Sequence, residues 1–120
     1  MQPGGATPHW ASNARGFLSI TRTAGELSIV CAESAVPVGV QCEIGWRIFR
    51  VEGPLNFALT GILASIAGPL AEAGVSIFAI STYDTDYVMV KEKDVETAVR
   101  ALESSPHAHR IKIDGPVTIR

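Results

Sequence analysis

From Trp46 onward the apolar patterns run strand, helix, strand, strand, helix, strand. That order predicts an α+β fold of the ferredoxin-like, split βαβ kind, with one antiparallel sheet and two helices on one of its faces. Leu59, Ile62, Leu63, Ile66 and Leu70 recur at three- and four-residue steps, which marks a helix with one buried stripe. Val75 to Ile80 instead alternates as a strand that is apolar on both faces, Val75, Ile77 and Ala79 against Phe78 and Ile80. Two helices shelter only one face of a sheet. Each large apolar side chain left wet forfeits ~1.5–3 kcal/mol, so a second sheet, from this chain or another copy, is expected over the other face.

The elements follow in order. Residues 1–16 are rich in Gly, Pro, Ala, Ser and Asn and are expected to be irregular, with Trp10 anchoring them to the body. Phe17-Leu18-Ser19-Ile20-Thr21-Arg22 alternates as a strand, Thr23 to Glu26 turns, and Leu27 to Cys31 returns. Ser34 to Gln41 is a loop in which Pro37 and Gly39 oppose a helix. Trp46 to Val51 is a third strand, with Phe49 and Val51 on one face and Trp46 and Ile48 on the other. In the helix that follows, Pro69 removes a backbone donor at a cost of about 3 kcal/mol in an ideal helix, so a kink is expected at Gly68-Pro69. Gly74 suits the left-handed position beyond the helix end. After the hairpin Val75 to Val90, Asp94 is placed to cap a second helix whose stripe is Val95, Ala98, Val99 and Leu102. Arg110 to Ile113 reads as a strand before a Gly115-Pro116 turn, and Val117 to Arg120 as a further short edge strand.

The chain has 120 residues, enough for one compact domain or two very small fused ones. Hydrophobic residues make up 47%, ample for a core. A formal charge of -2 argues against nucleic acid as a main partner. No apolar run reaches the ~20 residues that span a bilayer, and the first residues lack the order of a secretory signal. Cytoplasmic location is the expectation. Cys31 and Cys42 flank a loop and are placed either to pair or, in a reducing compartment, to remain buried thiols.

A displacement of the chain by 60 residues sets Ile20 to Val30 on Ile80 to Val90, matching Ile20 with Ile80, Glu26 with Asp86 and Val30 with Val90. Read as a repeat, the N-terminal part is the remnant of a first βαββαβ unit whose leading strand is missing.

Three stretches together resemble ACT domains: Thr60-Gly61-Ile62-Leu63-Ala64, then Leu70 to Ile77 (LAEAGVSI), then Ile80 to Asp86 (ISTYDTD). The likeness is greatest to the aspartate-kinase regulatory type and the CASTOR-like cytosolic arginine-sensor group. The stretch Thr21 to Val30, ahead of Val51-Glu52-Gly53-Pro54-Leu55, is similar to small bacterial members carrying two ACT-like units in tandem. The resemblance runs from Phe17 to about Leu102. It implies an amino-acid-binding regulatory fold, usually dimeric, with ligand held between the first-helix loop and the facing strand turn. The absent leading strand and the tail from His107 to Arg120 depart from the pattern. The expected organisation is an irregular segment over 1–16, a partial ACT-like unit over 17–42, and an ACT domain with a C-terminal extension over 43–120.

The candidate ligand-binding residues are Thr60, Gly61, Ile62, Leu63, Ser81, Thr82, Asp84 and Asp86. Gly61 lacks a Cβ, so a ligand can approach the backbone closely. The N–H groups of Gly61, Ile62 and Leu63 would face an α-carboxylate near the positive helix end; equally, Gly61 packs tightly against a strand. Asp84 and Asp86 are suited to an ammonium or a basic side chain, or to forming the turn. Ser81 and Thr82 offer hydroxyls to ligand or backbone. His9, His107 and His109 sit outside the core pattern with no cysteine nearby, so no metal is expected. Trp46 reads as core or interface. The leading expectation is a non-catalytic amino-acid sensor that acts through ligand-dependent pairing, as a homodimer or with a separate protein partner, without cofactor, nucleic acid or membrane. The alternative is an ACT-like dimerisation or interaction module that binds nothing small.

Overall fold

A computed structural model describes residues 4–51, 62–105, 108 and 111–119, with the side chain of Ile62 set aside. The chain divides into two compact units. Unit 2 spans Trp46–Asp114, and unit 1 comprises the chain through Gly45 together with the stretch from Gly115.

Unit 2 contains most of β3 (Glu43–Val51), α2 (Ile62–Glu72), β4 (Ile77–Ser81), β5 (Asp86–Lys91), α3 (Val95–Leu102) and the first part of β6 (Ile111–Ile119). Its strand order is β6-β3-β5-β4, and the β3–β5 and β5–β4 pairs are antiparallel. This is the ferredoxin-like order expected for the pattern. The core lies between sheet and helices: Phe49 and Val51 from β3, Val88 and Val90 from β5, Ile66 and Leu70 from α2, Ala98 and Leu102 from α3. The buried stripe of α3 runs through Val95, Ala98 and Leu102, whereas Val99, expected within it, is 37% exposed. A strict three-then-four spacing from Val95 turns Val99 toward the rim. Asp94 occupies the N-cap position of α3 without a side-chain capping bond.

Helix α2 runs through Pro69 to Glu72, so its last turn forms despite the missing donor. Its end is a Schellman motif. The N–H of Val75 donates to the Leu70 carbonyl at 2.9 Å and that of Gly74 to the Ala71 carbonyl at 3.0 Å. Gly74 adopts φ +75°, and Val75 and Leu70 meet in the core. Val75, expected to open the next strand, is thereby tied to the helix end, and β4 begins two residues later at Ile77.

Unit 1 contains α1 (His9–Ser12), β1 (Leu18–Arg22), β2 (Leu27–Ala32) and the remainder of β6. The segment expected to be irregular holds one helical turn. Its Ala11 is fully buried on Ile29 and Cys31, with Trp10, Ala14, Leu18, Ala35 and Val36 packed around them. Trp10 therefore does anchor the N-terminal segment.

The two hairpins repeat, at a displacement of 59 residues rather than 60. Arg22 pairs with Leu27 as Ser81 pairs with Asp86, and Leu18 with Cys31 as Ile77 with Val90. The short 3-10 turns Glu33–Ala35 and Glu92–Asp94 obey the same displacement. So do the core positions: Leu18, Ile29, Cys31 and Val36 in unit 1 match Ile77, Val88, Val90 and Val95 in unit 2. Hydrogen bonding explains the extra residue. Thr23 N–H closes on the Glu26 carbonyl at 2.9 Å and Thr82 N–H on the Thr85 carbonyl at 2.8 Å, so the turns align threonine on threonine.

The missing leading strand of unit 1 is supplied by the tail. Ala32, Cys31 and Val30 pair antiparallel with Val117, Thr118 and Ile119. In unit 2, β5 pairs its Lys91, Val90 and Met89 with Trp46, Arg47 and Ile48 in the same sense. The two short strands read on either side of a Gly115-Pro116 turn are, over the described residues Ile111–Ile119, one strand that runs through Gly115-Pro116. The Thr118 hydroxyl, fully buried, donates to the Glu43 carbonyl at 2.9 Å.

The sheet face of unit 2 away from its helices carries Ile48 and Met89, 1% and 0% exposed. These two are dry within the isolated chain, so the second copy expected as one possible cover is not needed to shelter them.

Candidate functional site

Four of the candidate residues, Ser81, Thr82, Asp84 and Asp86, lie at one end of β4 and β5 and on the turn that joins them. Val51 is the last residue of β3, and it pairs across the ladder with Asp86, which pairs in turn with Ser81. Directly opposed residues share a sheet face. Val51 lies in the core under the helices, so Asp86 and Ser81 project on the helix side. Asp86 is half-buried and Ser81 exposed. The row therefore ends a dry core with a carboxylate and a hydroxyl. Thr60 and Gly61 lie outside the described residues, and Ile62 is described only as the first residue of α2. Leu63 is half-buried against the helix–sheet core, so its side chain is engaged in packing.

The turn between β4 and β5 holds itself together. The Thr82 hydroxyl donates to the Thr85 carbonyl at 3.1 Å, beside the Thr82 N–H bond to the same oxygen. In unit 1 the Thr23 hydroxyl does related work, accepting from the N–H of Gly25 at 3.2 Å and of Glu26 at 3.1 Å. Thr82 thus has a structural role at a repeated position, while Asp84 stands exposed at the turn tip. Of the two acidic candidates, only Asp86 is set against the core.

The register also assembles polar residues that sequence reasoning passed over. Arg50 Nε donates to Asp114 Oδ2 at 3.1 Å, and Arg47 Nε to the Asp114 carbonyl at 3.0 Å. Arg47 also faces Glu92 at 3.7 Å. The one visible signal is two arginines inside an otherwise apolar strand. These pairs are partly exposed and so lend register more than stability. Trp46 is buried, with the Lys91 ammonium 5.8 Å from its ring centroid, a cation–π distance. Its indole Nε1 has no hydrogen-bond partner among the described residues. Both cysteines are free thiols. Burial pushes the Cys31 thiol up, and the nearby Cys42 adds to this. Among the described residues no group of three or more His, Cys, Asp or Glu is placed to hold a metal, and no helix is long and apolar enough to cross a membrane.

Comparison with known proteins bears on the same residues. A family profile described as the ACT domain matches residues 41–104, and a second, describing an N-terminal domain, matches residues 1–39. The human and bovine cytosolic arginine sensor for mTORC1 subunit 1 are each 42% identical over 59 residues, 48% of this chain and 18% of theirs. The match thus spans under a fifth of those sensors' length. The human protein CASTOR3P is 37% identical over 101 residues, covering 73% of this chain and 62% of its own. A crystal structure of a protein from Agrobacterium tumefaciens superposes with a TM-score of 0.81 at 40% identity, over 90% of this chain and 80% of that one. The ACT profile alone takes in more than half of the sequence, and the strand order of unit 2 agrees with it: the chain belongs to the ACT-domain family.

Proposed function

We propose that the protein is a non-catalytic, cytoplasmic amino-acid sensor whose ligand changes how it pairs with a second copy or with a separate partner. The observation that carries this reading is Asp86, half-buried at the helix-side end of the sheet with Ser81 beside it in the ladder. A carboxylate so placed accepts charge-assisted hydrogen bonds from an ammonium or guanidinium at lower desolvation cost than a fully buried one. The N–H groups of Gly61, Ile62 and Leu63, together with Thr60, are assigned to the ligand's α-carboxylate. Asp84 and Thr82 form the outer wall, Thr82 with a hydroxyl already committed to its turn. Kinship with proteins named as arginine sensors supports a basic amino acid, arginine first. Ligand acts by binding one arrangement better than another.

The engagement of Thr82 and Leu63 within the fold favours one other reading, a pairing module that binds nothing small. Thermal denaturation against the twenty amino acids separates the two. A ligand at 100 times its Kd stabilises by about 2.7 kcal/mol, so a sensor shows a clear rise in Tm with one or a few amino acids, foremost the basic ones. A pairing module shows none with any.

A further inference from the structure

We propose that unit 1 carries a second small-molecule site, for a compact organic carboxylate with an apolar or aromatic body. The reason lies in where the repeat stops. In unit 2 the 3-10 turn Glu92–Asp94 leads straight into α3, which lays Ala98 and Leu102 over the sheet. In unit 1 the corresponding turn Glu33–Ala35 is followed by loop, and the same sheet positions, Ile29 and Cys31, are covered by the four-residue α1. Between α1 with the residues after it and the 3-10 turn lies a cleft of about 390 Å3 lined by Trp10, Asn13, Ala14, Arg15, Ser34 and Ala35.

Its size falls within the ~300–1,000 Å3 of small-molecule pockets. The apolar cavity beside α3, at about 150 Å3, does not. The lining has the division of labour that such pockets show. The half-buried indole of Trp10 forms a flat wall, and Ala14 and Ala35, half-buried and short, leave room beside it. The Arg15 guanidinium makes no ion pair or hydrogen bond among the described residues. It stands at the rim with the Asn13 amide and the Ser34 hydroxyl. A guanidinium's planar fork matches a carboxylate bidentately, while the indole face and alanine methyls accept an apolar or aromatic body. An isolated cation would be repelled by Arg15, so the preference for anions is built in.

The test is NMR titration of the full chain, following the indole N–H resonances, with Trp10 assigned through the Trp10→Phe variant. Phenylacetate and phenylalanine are the probes, and benzylamine carries the opposite charge on a similar body. The expected result is a saturable shift of the Trp10 resonance with at least one carboxylate and none with benzylamine. Arg15→Ala, a surface change whose spectrum should otherwise match the parent, weakens binding at least tenfold. Asp86→Ala leaves it unchanged, which separates this site from the one in unit 2. No saturable shift at millimolar probe, an equal response to benzylamine, or full affinity in Arg15→Ala overturns the proposal.

Discussion

The position just past the end of α2 demands a backbone conformation that side chains resist, and Gly74 supplies it at φ +75°. Nothing lies within 4 Å of a Cβ added there, so the cost of Gly74→Ala is backbone strain alone, about 1–2 kcal/mol. Urea denaturation should show that loss, and an unchanged midpoint would mean the Schellman bonds do not hold the helix end. Asp86 and Asp84 looked alike as letters. Only the ladder, by pairing Asp86 with Val51, shows which one meets the core. Cys31 adds a pH dependence. Its thiol titrates above its unfolded value, near 8.5, so the folded state holds the proton longer. The stability it lends is complete below about pH 8.5 and is lost as pH climbs through the raised folded value. The urea midpoint should therefore fall as pH rises above about 8.5, and fall less in Cys31→Ala. Equal slopes would assign the fall to other groups.

At the scale of elements, local patterns found β3, β4, β5 and both longer helices of unit 2, because a two-residue or 3.6-residue period is written in neighbouring letters. The tail strand was misread for the opposite reason. Gly115-Pro116 has the chemistry of a turn, and proline cannot donate to a ladder. Pairing with β2 begins at Val117, just beyond the proline, so the strand survives it. Its partners Val30 and Cys31 lie far away in sequence, and no local signal links them. The 59-residue repeat escaped for a similar reason, since matching letters favoured isoleucine on isoleucine while the hydrogen bonds align threonine on threonine. Truncation after Asp114 tests the tail's role. Hydrogen exchange in β2 should quicken at least tenfold while β5, which keeps β3 and β4 on its two sides, holds its protection. Equal loosening of both strands would mean the tail does not serve unit 1 in particular.

In the molecule as a whole, unit 2 carries the ferredoxin-like strand order and the hairpin of unit 1 pairs with the second part of β6. The sheltered Ile48 and Met89 change how pairing is to be understood, because a partner is not needed to keep that part of the sheet dry. On the proposed reading, pairing draws on binding free energy that differs between arrangements, which places the weight on the ligand. That in turn rests on the carboxylate at the end of the sheet. The most direct measurement is isothermal titration calorimetry of L-arginine against the parent chain and Asp86→Ala. The expected result is saturable binding to the parent and an affinity at least roughly tenfold weaker in the variant, the scale of a lost charge-assisted contact. Equal affinity in the two proteins would remove Asp86 from the site, and the absence of heat from arginine and every other amino acid would contradict the sensor itself.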